Sequence, residues 1–310
     1  MHTIVAKRMS YLVGFLVFLL AGLFTEVRGV NVSRKCKYSA IYNFGDSNSD
    51  TGTTSAAFTT INPPNGEVFP QLIFPTRNCD GRLIIDFIDV ALRKRLPKSV
   101  DFSKALYTID IGQIDLAYSL FLNNNDYQSV KASIPSLLSN FSQGVQQLYD
   151  EGARFFWIHN TGSWGCVPRT NKNYKPSPGD TDSAGCRASE NEIAREFNKQ
   201  LKELVDGLRT KLPDAKFTYV DIYSAKFELT KNAKDLGFAD PKEFCCGTIE
   251  SPTVDCGVNA KEASRLCMDK SKYITWDGIH YSEAANKWVA DRITNGSLSD
   301  PPVSVDMACH

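Results

Sequence analysis

Four short apolar runs, interleaved with stretches of helical spacing, set the tightest limit on what this chain can fold into. Ala40–Phe44 stops at Gly45-Asp46-Ser47, and Ala105–Ile111 reads as a buried strand ending at Gly112. Arg154–His159 and Phe217–Ile222 read as the third and fourth strands. Between them, Leu83–Leu96 repeats Leu83, Ile84, Phe87, Ile88, Ala91 and Leu92 at helical spacing, and Ile134–Tyr149 reads as a second helix. Ser189–Leu212 is a long amphipathic helix with Glu190 and Glu192 in its first turn, where the dipole favours acids. Ser282 caps a last helix in which Ala285, Trp288, Val289 and Ile293 share a face. Such alternation predicts an α/β fold with a parallel, doubly wound sheet. There is no internal repeat, and one domain over residues 30–310 accounts for the pattern.

The first 29 residues stand outside it. Lys7 and Arg8 precede a 14-residue apolar run, Tyr11–Phe24. Spanning a hydrocarbon core takes roughly 20 residues. Val27 and Gly29 follow at a spacing that suits signal peptidase, so residues 1–29 read as a secretory signal. The expectation is an exported protein with no membrane span. Three Asn-x-Ser/Thr sequons, at Asn31, Asn140 and Asn295, would be usable on that route. The nine cysteines contain no Cys-x-x-Cys pair, which argues against a zinc ribbon or a thioredoxin-type site. In an oxidising compartment they should pair as disulfides and leave one over.

Charge excludes a further class. The chain has 35 basic and 35 acidic residues; losing Lys7, Arg8, Arg28 and Glu26 with the signal leaves 32 and 34, a net of −2. Phosphate binding needs a basic face, so nucleic acid is not an expected partner. The longest basic run, Arg93-Lys94-Arg95, reads as the solvated side of a helix. No ligand cluster or phosphate-binding glycine loop appears, so neither a metal nor an organic cofactor is expected.

In doubly wound sheets the ligand sits beyond the carboxyl ends of the strands. There the first strand delivers Ser47, and the segment before the last helix reads Trp276-Asp277-Gly278-Ile279-His280. A serine with Asp and His three residues apart is a possible nucleophile, orienter and base. Beyond the signal only His159, His280 and His310 remain as bases; His310 is the last residue and His159 closes a strand. Asp46 is the alternative carboxylate, but adjacent side chains on a turn diverge, which favours a structural role for it.

The strings themselves say more. Phe44-Gly45-Asp46-Ser47-Asn48-Ser49-Asp50-Thr51-Gly52 resembles the first block of the GDSL-type, or SGNH, serine hydrolases, and Asp277-Gly278-Ile279-His280 resembles their last. Trp157-Ile158-His159-Asn160-Thr161-Gly162 with Gly165-Cys166-Val167-Pro168 resembles the middle segment of the plant members, and Cys79-Asp80-Gly81-Arg82 is close to their Ser-Asp-Gly-Arg stretch. The similarity spans about Ala40 to Ile293 and points to the plant esterase/lipase group that includes early-nodulin-like proteins. It implies a flavodoxin-like three-layer sandwich and hydrolysis of a small carboxylic ester, acyl or acetyl, of lipid or carbohydrate. By position it makes Ser47 the nucleophile, with its backbone N–H an oxyanion donor, His280 the base and Asp277 its orienter. Cys79 stands where relatives carry serine, which makes it the candidate free thiol and Cys36 and Cys309 possible partners tying the termini.

Two departures bear on activity. The family's Gly-Gln-Asn-Asp block, whose Asn donates to the oxyanion, here reads Gly112-Gln113-Ile114-Asp115. Between Arg82 and Gly112, several dozen residues of the family pattern are missing, including its second strand and the glycine that supplies a further oxyanion N–H. In a flavodoxin-like order that strand flanks the first, so its loss should leave strand one as an unpaired edge. The alternative readings are a catalytically impaired binding protein of the same fold and an unstable product of a mis-assembled gene.

Overall fold

A computed structural model describes residues 35–52, 55, 61, 63–68, 77–92, 102–123, 126–169, 178–247, 256 and 265–310. The expected signal segment, Asn31 and the Arg93-Lys94-Arg95 run lie outside the described residues. In chain order the elements are β1 (Ile41–Gly45), α1 (Ile84–Leu92), β2 (Leu106–Asp110), α2 (Gln113–Leu122), α3 (Tyr127–Asp150), β3 (Phe155–His159), α4 (Ala188–Lys211), β4 (Lys216–Val220) and α5 (Ile222–Lys231). The two-residue strands β5 (Cys246–Gly247) and β6 (Arg265–Leu266) precede α6 (Glu283–Ile293), and β7 (Ser299–Asp300) follows it.

The sheet order is β1-β2-β3-β4-β7, parallel except for the short β7. Period-two alternation divides the strand side chains between two cores. Tyr107, Ile109, Phe156, Ile158 and Phe217 face the layer of α2, α3 and α4, while Leu106, Trp157 and Val220 face α1, α5 and α6. The result is the three-layer α/β sandwich that the alternation predicts. One row crosses all four parallel strands: Tyr42, Tyr107, Phe156 and Phe217 are register partners. Their ring centroids lie 5.3, 5.5 and 4.8 Å apart. Aromatic pairs at such spacing add roughly 0.5–1.5 kcal/mol each beyond burial, so this row fixes the register.

Among the described residues β1 pairs with β2 alone, the edge position expected for strand one. Among the described residues nothing adds to its outer edge, and Phe44 remains 42% exposed there. Four disulfides hold the rest: Cys36–Cys309, Cys166–Cys186, Cys245–Cys267 and Cys246–Cys256. The first closes a sequence separation of 273 residues. Chain-entropy arguments credit such a long loop with about 5 kcal/mol. Cys79 is the free thiol and is fully buried, which drives its pKa well up.

The differences from the sequence reading have local causes. α3 begins at Tyr127 rather than Ile134: Asp126 caps it by accepting from the Gln128 N–H at 3.0 Å, and Val130 extends the buried stripe of Ile134, Leu138, Phe141 and Val145 past Pro135. The fourth strand ends at Val220, because the Asp221 carboxylate accepts from Ser224 N–H and starts α5 at Ile222. Helices α2 and α5 were not anticipated. Both are ten residues long and follow directly on strands, so their periodicity is brief. α1 is described only to Leu92.

Candidate functional site

Ser47 and His280 are 233 residues apart in the chain and meet beyond the carboxyl end of β1. The turn that carries Ser47 is held by Asp46, whose Oδ1 accepts from the Asn48 backbone N–H at 2.9 Å and whose carbonyl accepts from the Ser49 N–H at 3.0 Å. Asn43 ties the loop back to the sheet, donating to the Ser49 carbonyl at 3.1 Å and accepting from Thr108 Oγ1 on β2 at 2.9 Å.

Opposite it, the loop from Trp276 to Ser282 is built around one carboxylate. Asp277 Oδ1 accepts from the backbone N–H groups of Ile279 at 2.9 Å and His280 at 2.7 Å, and Oδ2 lies 2.5 Å from His280 Nδ1. The Asp-x-x-His spacing therefore lets one side chain shape the turn and orient the imidazole. Gly278 sits at φ +87°, a conformation side-chain-bearing residues adopt only at a cost. The Trp276 N–H donates to the His280 carbonyl at 2.7 Å, and Ser282 caps α6 by accepting from the Ala285 N–H at 3.2 Å. Behind the loop, Trp276 is buried among the disulfide-bonded Cys245, Cys246 and Cys256.

His280 Nε2 lies 2.8 Å from Ser47 Oγ. With its proton on Nδ1, the imidazole donates to Asp277 and accepts from Ser47. Burial alone would lower the His280 pKa, but the Asp277 charge and hydrogen bond, helped by Asp46, raise it against that and against Arg169. Burial would raise Asp277, yet the His280 charge and the three hydrogen bonds hold its carboxyl below the usual range. The expected Ser47, Asp277 and His280 thus form one hydrogen-bonded line. Asp46 is not in it; burial, and then the charge of Asp110, push its pKa up.

The other histidine near the strand ends is differently engaged. His159 Nε2 accepts from Trp157 Nε1 at 3.1 Å, and Nδ1 faces Asp110 Oδ2 at 3.6 Å, a separation too long for a hydrogen bond. Burial would raise Asp110, but His159 and Lys226 lower it. Lys226 is 2% exposed, with Nζ 4.6 Å from the Tyr281 ring centroid. The sequence reading did not single out this cluster. Asp110, an acid inside the run Ile109-Asp110-Ile111, was the available signal; Lys226 gave none, since a helical lysine is usually solvated.

Two positions bear on the oxyanion donors that the sequence leads one to expect. The Ser47 N–H has no partner among the described residues. The Gly112 N–H is taken up by Asp115 Oδ2 at 3.1 Å, and Ile114 turns an apolar side chain half into solvent. Of the sequons, Asn140 on α3 and Asn295 after α6 are exposed. Among the described residues, no helix is long and apolar enough to cross a membrane.

Residues 41–293 match the model of the family described as GDSL-like Lipase/Acylhydrolase. The chain belongs to that family. Its relatives include the GDSL esterase/lipase At5g14450 of Arabidopsis thaliana, 38% identical over 98% of each chain, and the GDSL esterase/lipase ENOD8 of Medicago truncatula, 33% identical over 90% of this chain and 91% of the relative. Alpha-L-fucosidase 3 of Arabidopsis thaliana is 34% identical over 85% of this chain and 92% of its own. The alignment with the first of these runs over 387 positions, against the 310 residues of this chain. Membership in this esterase/lipase family makes the chain an ester hydrolase by kinship.

Proposed function

We propose that the protein is a secreted serine esterase that cleaves carboxylic esters through Ser47, His280 and Asp277, with turnover reduced by a depleted oxyanion site. The hydrogen-bonded line from Ser47 Oγ through His280 to Asp277 carries this reading. As Ser47 Oγ attacks the ester carbonyl, His280 Nε2 takes its proton, and Asp277 stabilises the imidazolium that forms. The tetrahedral oxyanion meets the Ser47 N–H. Collapse expels the alcohol, which leaves with the proton from His280, and a water molecule repeats the cycle on the acyl-enzyme. Where the family pattern supplies an asparagine amide, Ile114 supplies no donor. Each missing donor costs about 10²–10³ in turnover. Export is supported by the four disulfides, which persist in oxidising compartments.

The fucosidase name on one relative raises glycoside cleavage as a second reading. That chemistry needs two available carboxyl groups facing each other across the bond. Here both oxygens of Asp277 are occupied by His280 and the turn, and Asp46 is engaged with Asn48, so the arrangement favours acyl transfer.

Hydrolysis of p-nitrophenyl acetate and butyrate by the folded mature chain, against Ser47→Ala, tests the proposal, with p-nitrophenyl α-L-fucoside as a parallel substrate. The expected result is ester cleavage that disappears in the variant and no release from the fucoside. Equal ester rates in the two folded proteins would overturn it.

A further inference from the structure

Toward the other edge of the sheet from β1, an open cleft of about 390 Å³ lies between α4, β4 and the first turn of α5. That volume is within the range of small-molecule sites. One wall is a single face of α4, where Arg195, Asn198, Lys199 and Lys202 recur at three- and four-residue spacing. The floor is Tyr219 with Asn160, and the far wall is Tyr223 with Ser224.

The polar groups of the floor are fixed in place. Asn160 Nδ2 donates to Tyr219 Oη at 3.0 Å and to Asp221 Oδ1 at 2.9 Å, and its Oδ1 accepts from the Tyr223 backbone N–H at 2.8 Å. Tyr219 Oη donates to the Asn198 carbonyl at 3.2 Å, and Arg195 Nη1 donates to Tyr223 Oη at 2.9 Å. Two half-buried tyrosines are thereby locked while part of each ring still borders the cleft.

The charges are unbalanced toward the cation. Asp221, the acid in the lining, is engaged by Asn160 and by the Ser224 N–H and Oγ at 3.0 and 2.5 Å. Lys202 is paired with Asp206 and Asp300. Glu192, one turn before Arg195, is paired with Lys131 at 2.5 Å. That leaves Arg195, which donates to a phenol and shares the charge of Glu192 with Lys131, and Lys199, which forms no ion pair among the described residues.

We infer that this cleft binds a carboxylate borne on a ring with an apolar face, the carboxylate set against Arg195 and Lys199 and the ring against Tyr219 and Tyr223. Arginine and lysine donors to a carboxylate are the stronger kind of hydrogen bond, and tyrosine rings accept flat C–H or aromatic faces. A uronic-acid residue of an acidic saccharide and a hydroxycinnamic acid share that chemistry. The open trough suits the saccharide, because a chain can pass through it. Its position suits it too: β1, which delivers Ser47, and β4 are three strand spacings apart in the sheet, about 14 Å. A few sugar residues bridge that distance, so an acyl group on one residue would lie at Ser47 while a carboxylated residue occupied the cleft. This last step rests on the esterase reading; binding itself does not.

Calorimetric titration of the mature chain with trigalacturonate, with xylotriose as the neutral trisaccharide and with 4-hydroxycinnamate tests the inference, each repeated on an Arg195→Gln/Lys199→Gln double variant. Trigalacturonate should bind, weaken with added salt, and lose about tenfold or more in affinity in the variant, equivalent to about 1.4 kcal/mol. Xylotriose should not bind. Variant-sensitive binding of 4-hydroxycinnamate alone would keep the carboxylate site and assign the aromatic source. No binding of either acid, or equal binding by the variant, would overturn the inference. The variant should melt like the parent and cleave p-nitrophenyl acetate at the same rate, so a failure of the esterase reading would show separately in the parent's own rate.

Discussion

Two turns flank the candidate site, and they are built to different standards. In the loop from Trp276 to Ser282, one carboxylate holds two backbone N–H groups and an imidazole, a glycine supplies the required φ, and a buried tryptophan seals the back. In the turn from Gly112 to Asp115, the glycine also has positive φ, +116°, and Asp115 accepts from its N–H, yet the residue where the family pattern has asparagine is the half-exposed Ile114. The two turns are similar as structure and unequal as chemistry. Proton transfer needs groups in a line, and all of them are present. Oxyanion stabilisation needs several donors converging on one point; on the proposed reading the Ser47 N–H is one of them, and Ile114 adds none.

The largest effect should come from the well-built side. Asp277→Asn preserves an acceptor for the turn but removes the charge that raises the His280 pKa. Turnover on p-nitrophenyl acetate should fall about 10⁴-fold. In the parent, kcat/KM should fall as pH drops through a His280 midpoint above the ordinary value of about 6.5, because the base must be neutral. In the variant that midpoint should move down. A midpoint that stays put would mean Asp277 is not what perturbs His280.

A smaller and opposite effect is expected from Ile114→Asn on the other turn. If a missing amide limits turnover, kcat should rise about 10²-fold. An unchanged kcat in a folded variant would sink the proposed asymmetry between the two turns. The smallest effects should separate shape from chemistry. Gly278→Ala and Gly112→Ala each force a non-glycine residue into positive φ, at about 1–2 kcal/mol. A methyl at 112 would also come within 2.8 Å of Phe197. Thermal unfolding should show both losses, while only Gly278→Ala should displace the pH midpoint of kcat/KM. Equal displacement by both would mean that His280 senses general loosening rather than its own turn.

The sequence exposed the half of this site that is local. Asp277 and His280 are three residues apart, and Ser47 closes an apolar strand-like run, so spacing made them a possible set and the resemblance to the GDSL-type blocks gave them their roles. Ile114 stood out through the same resemblance, as a side chain without a donor where the family block has asparagine. Asp110, His159 and Lys226 were not legible as a group, because they come from β2, β3 and α5 and meet only through strand register and helix packing. The cleft at Arg195 and Tyr219 was hidden for the same reason: its walls belong to a helix and a strand joined to it only after α4 turns back on the sheet.

By itself, then, the chain's period-two and helical apolar spacing determined the α/β alternation, since burial of a sheet between helices follows from that pattern wherever it occurs. The identity of the Ser47, Asp277 and His280 side chains was likewise written in short strings. Tertiary structure decided what no string contains: that Tyr42, Tyr107, Phe156 and Phe217 stack in one row, and that Ser47 Oγ comes within 2.8 Å of a histidine 233 residues away. Hydrogen bonds and ring contacts act over a few ångströms, and only the folded register brings distant residues inside that range.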